Sequence, residues 1–94
     1  MKSLQELLRD GDTERRRLAV ESLTGRQDDG SAALLLDAMR DPSWRVRKTA
    51  TEVLLRGFPP SRYLDAVIGL LSLNDHAAAR NSAIDLLRAV GRPA

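Results

Sequence analysis

Apolar residues recur along the whole chain at the spacing of an amphipathic α-helix. The spacings i, i+3, i+4 and i, i+4, i+7, i+8 put such residues on one helix face, and no stretch alternates as a β-strand would. The clearest apolar stripes are Leu4, Leu7 and Leu8; Val46, Ala50, Val53 and Leu54; Leu64, Val67, Ile68 and Leu71; and Ala79, Ala83, Leu86, Leu87 and Val90. The pattern predicts an all-α fold of six short helices, over residues 3–9, 13–24, 31–40, 44–56, 62–72 and 76–90.

Small polar residues stand where these helices would begin, and glycines and prolines separate the stripes, with the exception of Gly69. A Ser or Asp side chain just before a helix can accept a hydrogen bond from an unpaired amide of the first turn. The residues predicted to cap the helices are Ser3, Asp12, Ser31, Ser43, Ser61 and Asp75.

The sequence is also similar to itself at a regular interval. A shift of 31 residues aligns Asp10, Arg16, Ala19 and Leu23 with Asp41, Arg47, Ala50 and Leu54. A shift of 33 residues aligns Asp41, Arg47, Ala50 and Leu54 with Asn74, Arg80, Ala83 and Leu87. One hairpin cannot cover its own apolar face, whereas stacked copies bury a continuous core. The chain is therefore predicted to be a single domain, residues 1–94, of three stacked hairpins at approximately 1–25, 30–57 and 61–91.

The second copy, LLLDAMRDPSWRVRKTATEVLLRG, resembles a HEAT repeat of the bacterial type often called phycobilisome-lyase-like. The residues that carry the resemblance are Asp41, Val46, Arg47, Ala50 and Leu54. The other copies depart from the pattern where Arg15 and Ala79 replace the valine and Asn74 replaces the aspartate. The resemblance implies a right-handed α-solenoid that acts as a scaffold for other proteins. No residue matches a chromophore attachment site, so the resemblance does not imply lyase activity.

The charges are balanced, with 15 basic and 13 acidic residues and a net charge of +2 spread along the chain. No basic arm or acidic tail is present, which argues against nucleic acid as the partner. No segment approaches the roughly 18 apolar residues of a membrane span, and the N-terminus lacks the apolar run of a signal peptide. We therefore expect a soluble, cytoplasmic protein that does not associate with membranes.

Catalytic chemistry has little support in the sequence. The chain has no cysteine, and its one histidine, His76, has no second histidine to complete a metal site or a nucleophile–base pair. Asp28 and Asp29 lie in the loop GRQDDG, where turn and capping roles are expected. Glycine-rich phosphate-binding loops are absent. We expect a protein that is not an enzyme and needs no cofactor or metal.

The aligned acidic and basic positions predict a ladder of contacts between repeats. An aspartate that ends one helix can bond the amides opening the next and can also meet an arginine of a neighbouring repeat. The predicted ladder consists of Asp10, Arg16, Asp41, Arg47, Asn74 and Arg80.

Trp44, the only tryptophan, permits two interpretations. Large aromatic residues are highly buried on average, which favours an indole packed over the hairpin junction at the start of the fourth predicted helix. Tryptophan is also enriched among residues that dominate binding to protein partners. The first interpretation is the favoured one from sequence.

The second helices of the three hairpins carry a mixed row of charges, with Arg17 and Glu21, Lys48 and Glu52, and Asn81 and Asp85 each four residues apart. The resemblance places this row on the concave face. It is either a solvated surface with weak pairs or a groove for a partner, on residues 14–21, 45–56 and 78–88. The candidate partner-binding residues are Arg17, Glu21, Trp44, Arg45, Lys48, Glu52, Arg56, Asn81 and Asp85. The alternative, a nucleic-acid-associated repeat protein, would contact phosphates through Arg15, Arg17, Arg45, Lys48 and Arg56.

The last predicted helix is too apolar for a free end of a repeat stack. Its inward stripe leaves a second set of apolar residues on or near the outside, at Ala77, Ala78, Ile84 and Ala89. This set predicts an end-to-end contact with a second copy in a homodimer or with further repeats of a longer chain. A monomer with a modest exposed patch is the alternative.

Overall fold

The computed structural model describes residues 4–72 and 76–91. Within those ranges the chain forms only helices and turns, which confirms the all-α prediction. The helices are α1 (Leu4–Leu7), α2 (Thr13–Glu21), α3 (Asp29–Ala38), α4 (Trp44–Gly57), a 3-10 helix (Pro60–Arg62), α5 (Leu64–Leu70) and α6 (Ala77–Gly91).

The helices pack as pairs that are stacked side by side. Helix α1 packs against α2, α3 against α4 and α5 against α6, so that consecutive helices form the hairpins. The second helices of the hairpins are also neighbours, because α4 packs against α2 on one side and against α6 on the other. This packing is that of a helical-repeat stack, with α4 at its centre.

One stripe of α4 lies at the middle of the core. Its buried side chains are Val46, Ala50, Val53 and Leu54, each at most 1% exposed. They contribute to a single apolar cluster with buried residues of the other helices, namely Val20, Leu23, Leu35, Met39, Tyr63, Val67, Ala83 and Leu86. Because all three hairpins contribute to this cluster, no hairpin has a core of its own.

Helix starts are set by aspartates more often than by serines. The Asp12 carboxylate accepts hydrogen bonds from the amides of Glu14 and Arg15, as predicted. Helix α3, however, begins earlier than predicted, because Asp28 accepts bonds from both the amide and the hydroxyl of Ser31. These bonds hold the pKa of the Asp28 carboxyl below its ordinary value. The prediction that Ser31 caps α3 was therefore wrong.

The other predicted caps have different outcomes. Ser43 stands before α4 but makes no side-chain capping bond. Ser61 does not cap α5, because Pro60 starts a 3-10 helix and α5 begins only after Tyr63. Ser3 and Asp75 lie outside the described residues. The imidazole Nδ1 of His76 accepts the amide of Ala79 at 3.1 Å, which is a capping contact at the start of α6.

The central position of α4 predicts unequal costs for the same substitution at two leucines. Leu54 is fully buried, whereas Leu18 on α2 is 52% exposed. We expect Leu54→Ala to lower the free energy of unfolding by about 2–5 kcal/mol because it leaves a cavity. Leu18→Ala should change it by no more than about 0.5 kcal/mol. Urea unfolding followed by circular dichroism measures both values, and similar losses would contradict the placement of α4.

Candidate partner-binding site

An ion pair joins the first two hairpins. It lies between α2 and the turn that precedes α4. The Arg16 guanidinium donates to Asp41 through Nε, at 2.9 Å from Oδ2, and through Nη2, at 3.3 Å from Oδ1. Its Nη1 donates to the carbonyl of Asp10 at 2.7 Å. Asp41 Oδ1 also accepts the amide of Ser43 at 2.8 Å. One carboxylate thus connects the arginine of α2 to the turn that starts α4.

The next arginine of the ladder shares only part of this arrangement. Arg47 Nη1 donates to the carbonyls of Asp41 and Pro42, as Arg16 does to Asp10, but its buried Nε has no partner among the described residues. Asn74, which the repeat register aligns with Asp41, lies outside the described residues. The side chain of Arg80 likewise makes no hydrogen bond or ion pair within the described ranges. The structure therefore brings together one complete rung of the predicted ladder.

Trp44 does not pack over the hairpin junction, and the interpretation favoured from sequence was wrong. Its side chain is 60% exposed. Trp44 is the first residue of α4 and lies about 200° around the helix from the buried Val46, so it points away from the core. The ammonium of Lys48, one turn later, lies 5.1 Å from the centre of the indole ring.

Two depressions meet at Trp44. The depression between α2 and α4 is lined by Glu14, Arg17, Trp44, Arg45, Lys48 and Glu52, among others. The depression between α4 and α6 is lined by Trp44, Arg47, Asn81, Ile84, Asp85 and Arg88, together with Ser82. The indole is thus a ridge in the middle of the face formed by the second helices, which we call the Trp44 face.

The charged row on this face is only partly paired. Arg17 bridges Glu14 and Glu21, with nitrogen–oxygen distances of 2.6 and 2.7 Å. The hydrogen bonds from Arg17 hold the pKa of Glu14 below its ordinary value, and those same carboxylates raise the pKa of Arg17. The pairing predicted between Lys48 and Glu52 is not formed, because the Lys48 ammonium lies over Trp44 instead.

The remaining candidate residues are exposed and available to a partner. Within the described ranges, no side-chain hydrogen bond or ion pair occupies Arg45, Glu52, Asn81 or Asp85. Arg56 donates through Nε to the carbonyl of Glu52 at 3.3 Å, a weak contact that leaves most of its guanidinium open. The ends of the Trp44 face therefore carry both signs of charge.

The residues predicted for an end-to-end contact differ in exposure and in position on α6. Ala77 and Ala89 are exposed and Ala78 is half-buried. Ile84 is 38% exposed, but it lines the depression between α4 and α6 together with Trp44. Ile84 and Arg88 lie within the range 78–88 predicted for the partner surface, but neither is among the candidate partner-binding residues named from the sequence. The signal was present, because Ile84 and Arg88 follow Asn81 by three and seven residues and so share its side of the helix.

Other kinds of site are not found in the described part of the chain. Residues 4–72 and 76–91 contain no group of three or more His, Cys, Asp or Glu side chains that could hold a metal ion. In the same ranges, no helix is long and apolar enough to cross a membrane.

Comparison with known protein families shows the family to which the chain belongs. A family model described as HEAT repeats matches residues 1–88 of the 94. The chain belongs to the HEAT repeat family. This match does not distinguish the phycobilisome-lyase-like type, which stays a prediction. A search of curated proteins and a search of solved structures each gave no significant match. HEAT repeats are generally protein-interaction scaffolds and are typically non-catalytic, so the particular role of this chain depends on its own surface.

The ion pair between Arg16 and Asp41 predicts strong coupling between the two residues. The side chains are only 12% and 10% exposed, so removal of either partner leaves a largely buried charge. We expect Asp41→Ala to cost about 2–4 kcal/mol, and a double-mutant cycle with Arg16→Ala to give a coupling of about 1–3 kcal/mol. Asp28→Ala, which removes an exposed cap, should lower the urea midpoint less. Equal midpoints for the two aspartate variants would contradict the ladder.

The incomplete second rung predicts a stabilising substitution. Asn74→Asp restores the carboxylate that the repeat register places opposite Arg47, whose Nε has no partner in the described ranges. We expect the variant to gain about 1 kcal/mol in the free energy of unfolding and about 4–8 °C in melting temperature. The control is the same substitution in an Arg47→Gln background, where the gain should disappear. A gain of the same size in both backgrounds would show that Arg47 is not involved.

Proposed function

We propose that this chain is a non-catalytic interaction module whose protein partner binds across α2, α4 and α6, with Trp44 at the centre of the contact. One observation carries the proposal. The only tryptophan of the chain is 60% exposed at the junction of two depressions, on a face whose other lining residues are charged or polar apart from Ile84.

An exposed indole in this position is suited to binding. Tryptophan provides a large apolar area with few rotatable bonds, and it is enriched among the residues that dominate protein interfaces. The backbone that carries Trp44 is held in place, because the opposite stripe of α4 is buried in the core. A partner therefore meets a site whose backbone is already ordered, which lowers the entropic cost of association.

Binding to nucleic acid, the alternative considered from sequence, has less support. Of the basic residues assigned to phosphate contact, Arg17 is already bridged to Glu14 and Glu21. The Nη1 atom of Arg15 lies 3.7 Å from Oδ2 of Asp10. The exposed carboxylates of Glu52 and Asp85 interrupt the basic residues of the face, so it lacks the continuous series of unpaired cations that a phosphate backbone needs. The mixed charge is typical of a surface that selects a protein segment.

The last hairpin offers a second surface of a different kind. Ala77 and Ala89 are exposed on α6, and Ile68 and Leu71 are 48% and 38% exposed in and just after α5. An exposed apolar set in a terminal hairpin supports the predicted contact with a second copy of the chain or with further repeats. Location in the cytoplasm likewise stays a prediction from the sequence.

Site-specific photo-crosslinking tests the proposed function. A benzophenone amino acid replaces Asn81, which lines the Trp44 face, or Ala33, which is exposed on α3. In an extract of the source organism, we expect a discrete crosslinked protein from position 81 and none from position 33. Adding Trp44→Ala should abolish that product while the circular dichroism spectrum stays unchanged. Equal products from both positions, or a product that survives Trp44→Ala, would refute the proposal.

A further inference from the structure

The cations of the Trp44 face are concentrated around the indole. Arg45 and Lys48 line the depression on the α2 side of Trp44, and Arg47 lines the depression on the α6 side. None of these three side chains is bonded to a carboxylate within the described ranges. Three positive charges therefore lie within one turn of the exposed aromatic ring.

Of the four carboxylates of the same face, two are paired with Arg17 and two are unpaired within the described ranges. Glu14 and Glu21 are engaged by Arg17. Glu52 follows Trp44 by eight residues, which places it about 12 Å further along α4. Asp85 lines the depression on the α6 side of Trp44, together with Arg47 and Arg88. Within the described ranges, the basic side chains around Trp44 that have no carboxylate partner therefore outnumber the unpaired carboxylates: they are Arg45, Arg47, Lys48 and Arg88, against Glu52 and Asp85.

The start of α4 adds to this positive potential. Asp12 caps α2 with its carboxylate, whereas the side chain of Ser43 makes no capping bond to the first turn of α4. The free amides of an uncapped first turn carry partial positive charge. This contribution supports the sign of the potential that the three basic side chains create.

The position of Lys48 distinguishes an acidic protein segment from a nucleic acid. Its ammonium lies over one face of the indole, 5.1 Å from the ring centre, and so occupies one of the two faces on which a base could stack. A carboxylate can instead bind this ammonium from the solvent side, while an apolar side chain contacts the ring edge and Ile84 in the neighbouring depression. An acidic segment uses the existing arrangement, whereas a base stacked on the face that Lys48 covers has to displace the ammonium.

We infer that the Trp44 face binds an acidic segment of a partner protein, and that this segment also carries an apolar side chain. This inference rests on the proposed function. The apolar side chain lies against Trp44 and Ile84. The flanking carboxylates bind Arg45 and Lys48, with Arg47 contributing to the attraction from the other side of the indole.

The single tryptophan makes this inference directly measurable, because its emission reports on the site alone. The probes are a short synthetic peptide of leucine and glutamate, its counterpart with lysine in place of glutamate, and a short oligothymidylate. We expect the glutamate peptide alone to shift the emission to shorter wavelength. Arg45→Glu and Lys48→Glu should each raise its Kd about tenfold or more. Arg9→Glu, the same charge change at an exposed residue beyond α1, should leave the Kd unchanged.

A charge exchange completes the test. The double variant Arg45→Glu with Lys48→Glu should lose the glutamate peptide and gain the lysine peptide, while its urea midpoint stays close to that of the original chain. A shift produced in the original chain by the lysine peptide, or by the oligothymidylate, would overturn the inference. If no probe shifts the emission but the crosslink at position 81 still depends on Trp44, the acidic preference is refuted and the proposed function stands. If that crosslink also fails, both are refuted.

Discussion

The burial of one stripe of α4 is the constraint on which the rest of the structure depends. Val46, Ala50, Val53 and Leu54 exclude water from the middle of the core, and α2, α3 and α6 each use α4 to cover their own apolar faces. A helix whose inner stripe is fixed in this way has its outer stripe fixed too. The exposure of Trp44 and Lys48 thus follows from the same packing that stabilises the chain.

Polar contacts give this packing its register. Apolar side chains tolerate sliding, but the hydrogen bonds between Arg16 and Asp41 require particular distances and directions. At another position, Arg62 contacts Asp29 and the carbonyl of Gln27, which joins the third hairpin to the start of the second. Both contacts connect neighbouring hairpins, and the pair between Arg16 and Asp41 links α2 to the turn that starts α4, beside Trp44.

Much of the fold could be predicted from the sequence because it depends on periodicity. The stripe of Ala79, Ala83 and Leu86 is buried as its spacing predicts, and the register that aligns Asp10 with Asp41 brings Arg16 to the latter carboxylate. The remaining details could not be predicted where two nearby residues are equally suited to one role. Both Asp28 and Ser31 are good capping residues, and only the start of α3 shows which of them is used. For Trp44, the average burial of aromatic residues predicts a packed indole, whereas its angle of about 200° from Val46 on the helix predicts an exposed one. The helical angle was the better guide.

The central position of α4 also affects how the chain opens. The strongest packing of the end hairpins is within each hairpin and against α4, so either end can separate from the stack without exposing the other. Loss of α4 itself removes the support of both ends at once. Local opening should therefore proceed from the ends inward, and the amides of α4 should exchange with solvent only when the whole chain unfolds. Trp44 is the first residue of this most persistent helix, so the centre of the proposed binding surface opens last, while its two sides on α2 and α6 open with the end hairpins.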